Sequence, residues 1–139
     1  MEFNPILPTG TDFKSEVEEL EMSLIQSIAA STTKDRFRHL EKEASGLLVW
    51  TGHCGAEVTM ERTQFHERVR DLRQYTALPI VASMNIESGE DAAEIASSAQ
   101  GVLVESALAW LIEGLGSNVE ERIDAFVVDL RTSLDAIAE

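Results

Sequence analysis

Three polar side chains follow two short apolar runs and could together bind a small anion or a sugar. These residues are Ser83 and Asn85, after the run 79–82, and Ser106, after the run 101–104. Such runs, joined by a helix-like segment, are typical of two buried parallel strands. Because the carboxyl ends of parallel strands lie at one edge of a sheet, we expect Ser83, Asn85 and Ser106 to form a ligand-binding site there.

A second group of reactive side chains lies in the loop after a third apolar run. His53, Cys54 and Gly55 follow the run 46–50 (GLLVW), and Glu57 stands two residues further on. A cysteine beside a histidine can form a nucleophile–base pair. Neighbours in sequence usually point apart, however, and the spacing of these groups fits no structural zinc pattern. We therefore predict a loop at the carboxyl end of a strand, with no catalytic residue, no metal site and no cofactor.

The elements that must position these groups alternate between strand-like and helix-like segments. Strands are predicted at 23–29, 46–50, 79–82 and 101–104, with helices at 12–22, 34–44, 61–75, 91–98 and from 106 onward. Residues 4–8 (NPILP) can form only a weak edge strand, because proline cannot donate to a ladder. This alternation predicts an α/β fold of parallel βα repeats with about four or five strands, in one domain spanning 1–139.

The last part of the chain carries the most regular apolar pattern. The stripe consists of Val119, Ile123, Phe126, Val127, Leu130, Leu134 and Ile137. Ser117 and Glu120 have the spacing of a capping box, with a serine at the N-cap and a glutamate three residues later. The pattern predicts a final helix from about residue 119 to about residue 138 that faces a core or a partner.

Charge and cysteine content limit the function classes. The chain has 139 residues, with 11 Lys and Arg against 25 Asp and Glu, for a net charge of -14. So acidic a surface argues against nucleic acid and anionic membranes as partners. A single cysteine excludes an internal disulfide framework and fits a reducing compartment such as the cytoplasm or an organelle stroma or matrix. The absence of a membrane-spanning run or a signal peptide predicts a soluble protein.

In order and spacing, these segments resemble the C-terminal half of the tryptophan synthase alpha subunit. The segments that carry the resemblance are 4–8 (NPILP), 23–33 (SLIQSIAASTT), 46–55 (GLLVWTGHCG) and 79–112. That family is an eight-stranded α/β barrel that cleaves indole-3-glycerol phosphate. The resemblance implies that this chain is an incomplete, half-barrel version of the same fold. It also implies that Ser83, Asn85 and Ser106 stand at the phosphate site.

The chain departs from the family at that site. The family has Gly-Phe-Gly-Ile where residues 83–86 read SMNI, and Gly-Ser-Ala where residues 105–107 read ESA. Side chains at Ser83 and Asn85 would crowd the approach of a phosphate to backbone N–H groups, and a carboxylate at Glu105 would repel it. His53 stands where the family has arginine. The family's catalytic acids lie in the other half of the barrel. The resemblance therefore implies a degenerate phosphate site without catalytic residues.

Half a barrel leaves unpaired backbone groups at two strand edges and exposes one face of the sheet, which another surface must cover. We therefore expect a protein partner or a homo-oligomer, with Trp50, Trp110 and Leu115 as candidate partner-facing residues. The hypothesis that follows is a non-catalytic structural or assembly subunit of a multi-protein complex. Two alternatives stay open. One is a fragment or split subunit of a lyase that acts on indole-3-glycerol phosphate or a related compound. The other is a regulatory module that binds a small ligand.

Overall fold

The computed structural model describes residues 13–52, 62–114 and 118–138, and in these ranges helices alternate with short strands. The strands are β1 (Gln26–Ala29), β2 (Leu48–Thr51), β3 (Ile80–Ser83) and β4 (Gly101–Leu103). The helices are α1 (Phe13–Glu19), α2 (Lys34–Glu43), α3 (Arg62–Arg73), α4 (Gly89–Ala96), α5 (Ser106–Glu113) and α6 (Val119–Ala138). Each predicted segment in the described ranges forms the expected element, with ends that differ by a few residues. The predicted edge strand at 4–8 and the capping serine Ser117 lie outside these ranges.

Two helices begin at the polar residues that the sequence places there. Thr33 is the N-cap of α2, and its hydroxyl accepts a hydrogen bond from the backbone N–H of Arg36 at 3.2 Å. Ser88 caps α4 in the same way, accepting from the N–H of Asp91 at 3.2 Å. Each hydroxyl satisfies an N–H that has no partner inside its helix. These caps fix where the chain leaves the loops that follow β1 and β3.

All four strands are parallel and follow one another in chain order across the sheet, β1-β2-β3-β4. The register places Ile28 beside Trp50 and Trp50 beside Ala82. Side chains alternate between the two faces of a sheet, and residues paired across parallel strands share a face. The α/β class with parallel βα repeats is confirmed, and among the described strands β1 and β4 are the outermost.

One face of the sheet carries the hydrophobic core, and we call it the helix-covered face. Its buried residues are Ile28, Leu48, Trp50, Ile80 and Ala82, each at most 1% exposed. Helices α2, α3 and α4 pack on it through Phe37, Leu40, Phe65, Val69, Leu72 and Ile95. The prediction that Trp50 faces a partner is wrong. Its indole points to the helix side of β2, where it meets the ring of Phe65 edge-on at 5.7 Å between centroids.

The opposite face, which we call the open face, has no buried residue. Its strand positions are Ser27, Ala29, Val49, Thr51, Val81, Ser83, Gly101 and Leu103, all half-buried or exposed. None of these positions is charged, although the chain has a net charge of -14. The face is therefore neutral and composed of small and moderately apolar side chains. It contrasts with the strongly acidic surface around it.

Helix α6 packs against α4 and contacts the end of α5, but none of its residues is buried. It packs against α4 so closely that a Cβ added to Gly89 would lie 2.5 Å from the carbonyl oxygen of Asp129. The backbone N–H of Gly89 donates to a carboxylate oxygen of Asp129 at 2.6 Å. The apolar stripe of α6 is only half-covered, since no residue of this helix is buried. No helix in the described ranges is long and apolar enough to cross a membrane.

Candidate functional site

The candidate site lies at the carboxyl ends of β3 and β4, where the chain leaves the sheet. Ser83 is the last residue of β3, Asn85 lies in the following loop, and Ser106 begins α5 just after β4. Parallel pairing of β3 with β4, with Ser83 beside Leu103, brings the two loops to the same edge. The position agrees with the prediction, because ligands of parallel α/β proteins bind outside the carboxyl ends of the strands.

Ser83 is not available to a ligand in the way the sequence suggested. Its hydroxyl donates a hydrogen bond to a carboxylate oxygen of Glu105 at 2.7 Å, across the mouth of the two strands. Such charge-assisted bonds to a carboxylate are stronger than neutral ones. The pair therefore fixes a negative charge between the loop after β3 and the start of α5.

Asn85 also has a carboxylate partner. Its side-chain amide donates to Glu87 Oε1 at 2.8 Å, within the same loop. The amide N–H groups of Asn85 are the donors that an anion would need, and one of them already serves Glu87. Two of the three predicted ligand residues are thus hydrogen-bonded to acidic side chains, which makes this edge of the sheet unfavourable for a free anion.

A cavity of about 440 Å³ opens beside these residues, between the loop after β3, α5 and α6. It is lined by Asn85, Glu87, Ser106, Ala107, Trp110, Leu111, Arg122 and Phe126. Its volume lies in the range of small-molecule sites, and its wall combines two aromatic rings with a few polar groups. The structure therefore unites Asn85 and Ser106 in one cavity and leaves Ser83 beside it.

Arg122 is the cavity residue that the sequence analysis missed. It lies in the second turn of α6, and its Nη1 donates to the carbonyl oxygen of Gly114, at the end of α5, at 3.3 Å. From residue 74 onward the chain has only two basic residues, Arg122 and Arg131. This scarcity was the available signal, because an isolated cation in an acidic segment is a candidate partner for an anionic group.

The loop that carries Asn85 and Glu87 is anchored by Asp91 in the first turn of α4. One carboxylate oxygen of Asp91 accepts from the backbone N–H of Glu87 at 3.1 Å and from the hydroxyl of Ser88 at 2.9 Å. The other accepts from the guanidinium of Arg62 on α3. The hydrogen bond from Arg62 holds the pKa of the Asp91 carboxyl below its ordinary value. This network ties the site loop to the helices of the core.

Several predicted site residues cannot be placed. His53, Cys54 and Gly55, and the partner-facing candidate Leu115, lie outside the described residues. Trp110 is described and is 74% exposed on α5, next to the cavity. Within the described ranges, no cluster of three or more His, Cys, Asp or Glu side chains could hold a metal ion.

Parallel strands in sequential order, with helices on one face and a polar edge at their carboxyl ends, are the arrangement of α/β-barrel proteins, and the described residues supply four such strands. The sequence profile of one barrel family, described as tryptophan synthase alpha chain, matches residues 7–138. The chain belongs to the tryptophan synthase alpha chain family.

Individual relatives agree with this assignment and define its extent. The tryptophan synthase alpha chain of Leptospira interrogans is 29% identical over 134 residues, which cover 91% of this chain and 50% of the relative. That of Xanthomonas euvesicatoria is 33% identical over 122 residues, which cover 84% of this chain and 46% of the relative. The chain thus spans about half the length of the curated relatives it matches.

Solved structures show the same fold. Tryptophan synthase from M. tuberculosis, in its aminoacrylate-bound form, superposes with a TM-score of 0.76 at 21% identity over 94% of this chain and 48% of that chain. Tryptophan synthase subunit alpha from Legionella pneumophila gives a TM-score of 0.73 at 19% identity, over 89% of this chain and 47% of that chain. The four described strands therefore correspond to about half of a barrel.

Proposed function

We propose that this chain is a non-catalytic member of its family and acts as a structural or assembly subunit of a multi-protein complex. The observation that carries this proposal is the hydrogen bond between Ser83 and Glu105 at 2.7 Å. It places a carboxylate where the resemblance to the family expects a glycine and a phosphate group. A site that has acquired a bound internal carboxylate at this position is unsuited to a phosphorylated substrate.

The charges around the cavity support the same proposal. A phosphate placed between Ser83 and Ser106 would meet the carboxylate of Glu105, with Glu87 at the other side of the loop. Like charges at such distances repel each other, and the repulsion is strongest where the site excludes water. Arg122 is the cationic residue of the cavity wall, and its guanidinium already donates to the carbonyl of Gly114.

The surfaces that the chain leaves uncovered support a role through contact. The open face contains no buried residue, α6 keeps its apolar stripe half-covered, and Trp110 is 74% exposed. Contiguous apolar surface on a soluble protein marks an interaction site more often than it is tolerated without one. The open face, α6 and Trp110 therefore offer apolar surface to a protein partner.

Calorimetric titration of the chain with indole-3-glycerol phosphate, and separately with inorganic phosphate, tests the proposal. We expect no heat of binding for either ligand and no turnover of the first. A binding isotherm that disappears in the Ser106→Ala variant would contradict the proposal, because it would show a working anion site at the start of α5.

Two substitutions at Glu105 test the physical reason. Glu105→Gln removes the charge and keeps the shape of the side chain, and Glu105→Gly also restores the close backbone approach that a phosphate needs. We expect weak phosphate binding to appear in the glycine variant, because the repulsion and the crowding are both removed. The control is Glu113→Gln, which removes one carboxylate from the other end of α5. If neither Glu105 variant gains affinity, the carboxylate is not what excludes phosphate.

One observation favours a second candidate function, a module that binds a small ligand alone or as part of a split lyase. The cavity wall brings Arg122 together with the rings of Trp110 and Phe126, a combination that suits an aromatic anion. Because Trp50 is buried and Trp110 is exposed, a ligand in the cavity would change mainly the fluorescence of Trp110. A saturable change that is lost in Arg122→Gln would favour this second function, and an unchanged spectrum is expected under the first.

A further inference from the structure

Among the described residues the sheet ends at β1 and β4, and large exposed apolar side chains lie near both ends. In the segment between α1 and β1, Leu20, Met22 and Ile25 are 70%, 60% and 52% exposed. Beside β4, Leu103 is 38% exposed and Trp110, on the following helix, is 74% exposed. A strand edge with exposed apolar neighbours is a template for pairing with another strand. Both edge strands are therefore candidates for pairing with strands of another chain.

We propose that the partner of this sheet is a second copy of the same chain, and that two copies close a ring of eight parallel strands. In this ring, β4 of each copy pairs with β1 of the other. The described sheet has four strands, and two such sheets give the number at which a parallel α/β sheet closes into a filled barrel. The inference rests on the proposed function, since it names the partner in a role carried out by contact.

The register of the sheet identifies which residues meet where β4 of one copy pairs with β1 of the other. We call each such pairing a joint. Ala29 is level with Thr51, Ser83 and Leu103 along the ladder, and all four lie on the open face. A shear of about eight residues around eight strands displaces the ladder by about four residues after four strands. Four residues after Ala29 is Thr33, the N-cap of α2, whereas four residues before it is Ile25, in the segment that leads into β1.

Leu103 of one copy is therefore expected beside Ile25 of the other. Both side chains are apolar and partly exposed in the single chain. If the residues before β1 continue the alternation of the strand, Ile25 lies on the open face with Leu103, because an even number of residues separates Ile25 from Ala29. Two exposed aliphatic residues that the sheet geometry makes neighbours are the central contact of each joint.

The ring also gives the half-covered helix α6 a surface to cover. In an α/β barrel the helix after the last strand packs over that strand and the next one, in the outer ring of helices. In the ring of two copies the next strand is β1 of the second copy, which carries Leu20 and Met22 beside it. The stripe residue Val127, 52% exposed in the single chain, lies on the helix that faces this joint.

The surface to be buried is large enough for a stable dimer. If each aliphatic side chain that is about half exposed contributes roughly 100 Å² and the indole of Trp110 nearly twice that, the six residues Leu20, Met22, Ile25, Leu103, Trp110 and Val127 present about 700 Å². The strand positions of the open face raise this area to the ~800 Å² per partner that is typical of specific interfaces. The open face contributes no charge, so its burial leaves no unpaired ion.

Charge distinguishes a second copy from a basic partner. Helix α1 carries Glu16, Glu18 and Glu19, and the first turn of α6 carries Glu120 and Glu121, so the joint brings acidic helices towards each other. Salt screens this repulsion but does not weaken apolar contacts. Association of two copies should therefore strengthen with salt, whereas association with a cationic protein would weaken.

Sedimentation equilibrium of the 139-residue chain tests the proposal. We expect a species of twice the 15.3 kDa of one chain. Its dissociation constant should fall when sodium chloride is raised from about 0.1 M to about 1 M, which shortens the screening length from ~10 Å to ~3 Å.

Ile25→Lys and Leu103→Glu should each weaken the dimer by about a hundredfold or more, because each variant disrupts both joints. The control Val128→Lys replaces a 63% exposed residue on the side of α6 away from the stripe and should leave the dimer intact.

Mixing the two disruptive variants gives the decisive result. A heterodimer of one Ile25→Lys chain and one Leu103→Glu chain contains one unaltered joint and one joint in which lysine faces glutamate. We therefore expect the mixture to form dimers although neither variant does so alone. The proposal is overturned by a monomeric wild-type chain, or by a dimer that both variants leave unchanged. It is also overturned by a mixture that stays monomeric while each variant retains a native circular dichroism spectrum.

These outcomes are separable from failure of the proposed function. A monomer that binds no phosphate removes the ring and leaves the non-catalytic role. A dimer that turns over indole-3-glycerol phosphate keeps the ring and removes the non-catalytic role.

Discussion

The two faces of the sheet are built by the same four strands but differ in composition and in cover. On the helix-covered face, Leu48, Trp50 and Ile80 are fully buried beneath α2, α3 and α4. On the open face, the next residues along the same strands, Val49 and Val81, are only half-buried. Because alternate residues of a strand point to opposite sides, neighbouring positions have different environments.

The helix-covered face contributes most of the stability of the single chain, whereas the open face contributes little. The helix-covered face has large side chains in close contact, which is the arrangement that stabilises a fold without outside help. The open face has neutral, mostly small side chains, all of them half-buried or exposed, so it stabilises the single chain less. The chain is therefore expected to be sensitive to substitution on one face and to association on the other.

Adjacent residues of β2 provide the largest expected contrast. Leu48→Ala should reduce the free energy of unfolding by about 2–5 kcal/mol, because it leaves a cavity in the core. Val49→Ala should reduce it by about 1 kcal/mol or less at low protein concentration, since the side chain is only half-buried. Urea unfolding followed by circular dichroism measures both. Equal losses for the two variants in dilute protein would mean that the open face is already covered within one chain.

Disrupting the contact between α4 and α6 should have an intermediate effect on the free energy of unfolding. Gly89→Ala would place a methyl group 2.5 Å from the carbonyl oxygen of Asp129, and it should destabilise the chain by about 1–3 kcal/mol. Alanine favours a helix over glycine by up to about 1 kcal/mol, so a net loss shows that the clash dominates. Amide hydrogen exchange should show loss of protection mainly in α6. The matched control is Gly101→Ala, whose methyl group would meet Val81 Cγ2 at an ordinary 3.5 Å. A Gly89 variant as stable as this control would contradict the close packing of α6.

The smallest effect concerns the ion pairs between α3 and α4. Arg62 bonds to Asp91 and Glu94, and it holds the pKa of Asp91 below its ordinary value. A lowered folded-state pKa stabilises the fold above the unfolded pKa of about 3.9, and this contribution is lost as the pH falls through the folded value. Arg62→Gln should therefore cost about 1 kcal/mol or less at pH 7, because the pair is partly exposed. The difference from the wild type should shrink as the pH falls below about 4.

Parallel urea titrations at neutral and acidic pH measure this difference. Arg131→Gln is the control, since Arg131 and Asp135 are 74% and 55% exposed on α6 and their pair should contribute nothing measurable. A difference between wild type and the Arg62 variant that persists unchanged at low pH would show that Arg62 acts through packing and not through charge.

For the candidate site, the sequence predicted the edge of the sheet at which it lies and two of the residues that line the cavity. Asn85 and Ser106 follow apolar runs, and parallel pairing brings them to one cavity as expected. The sequence did not reveal that Ser83 is bonded to Glu105, because that pair spans 22 positions along the chain and depends on strand register. It also did not place Arg122 in the same cavity, since that contact depends on how α6 packs.

The sequence by itself determined the parallel α/β class and the order of the elements, because these follow from local periodicity. Only the tertiary structure decided which apolar residues are covered. Trp50 was a candidate for a partner-facing residue and is buried against Phe65, whereas α6 has the most regular apolar stripe and contains no buried residue. The physical reason is that periodicity reports which side of an element is apolar. Burial depends on which distant elements reach that side, and in this chain they reach one face of the sheet and leave the other open.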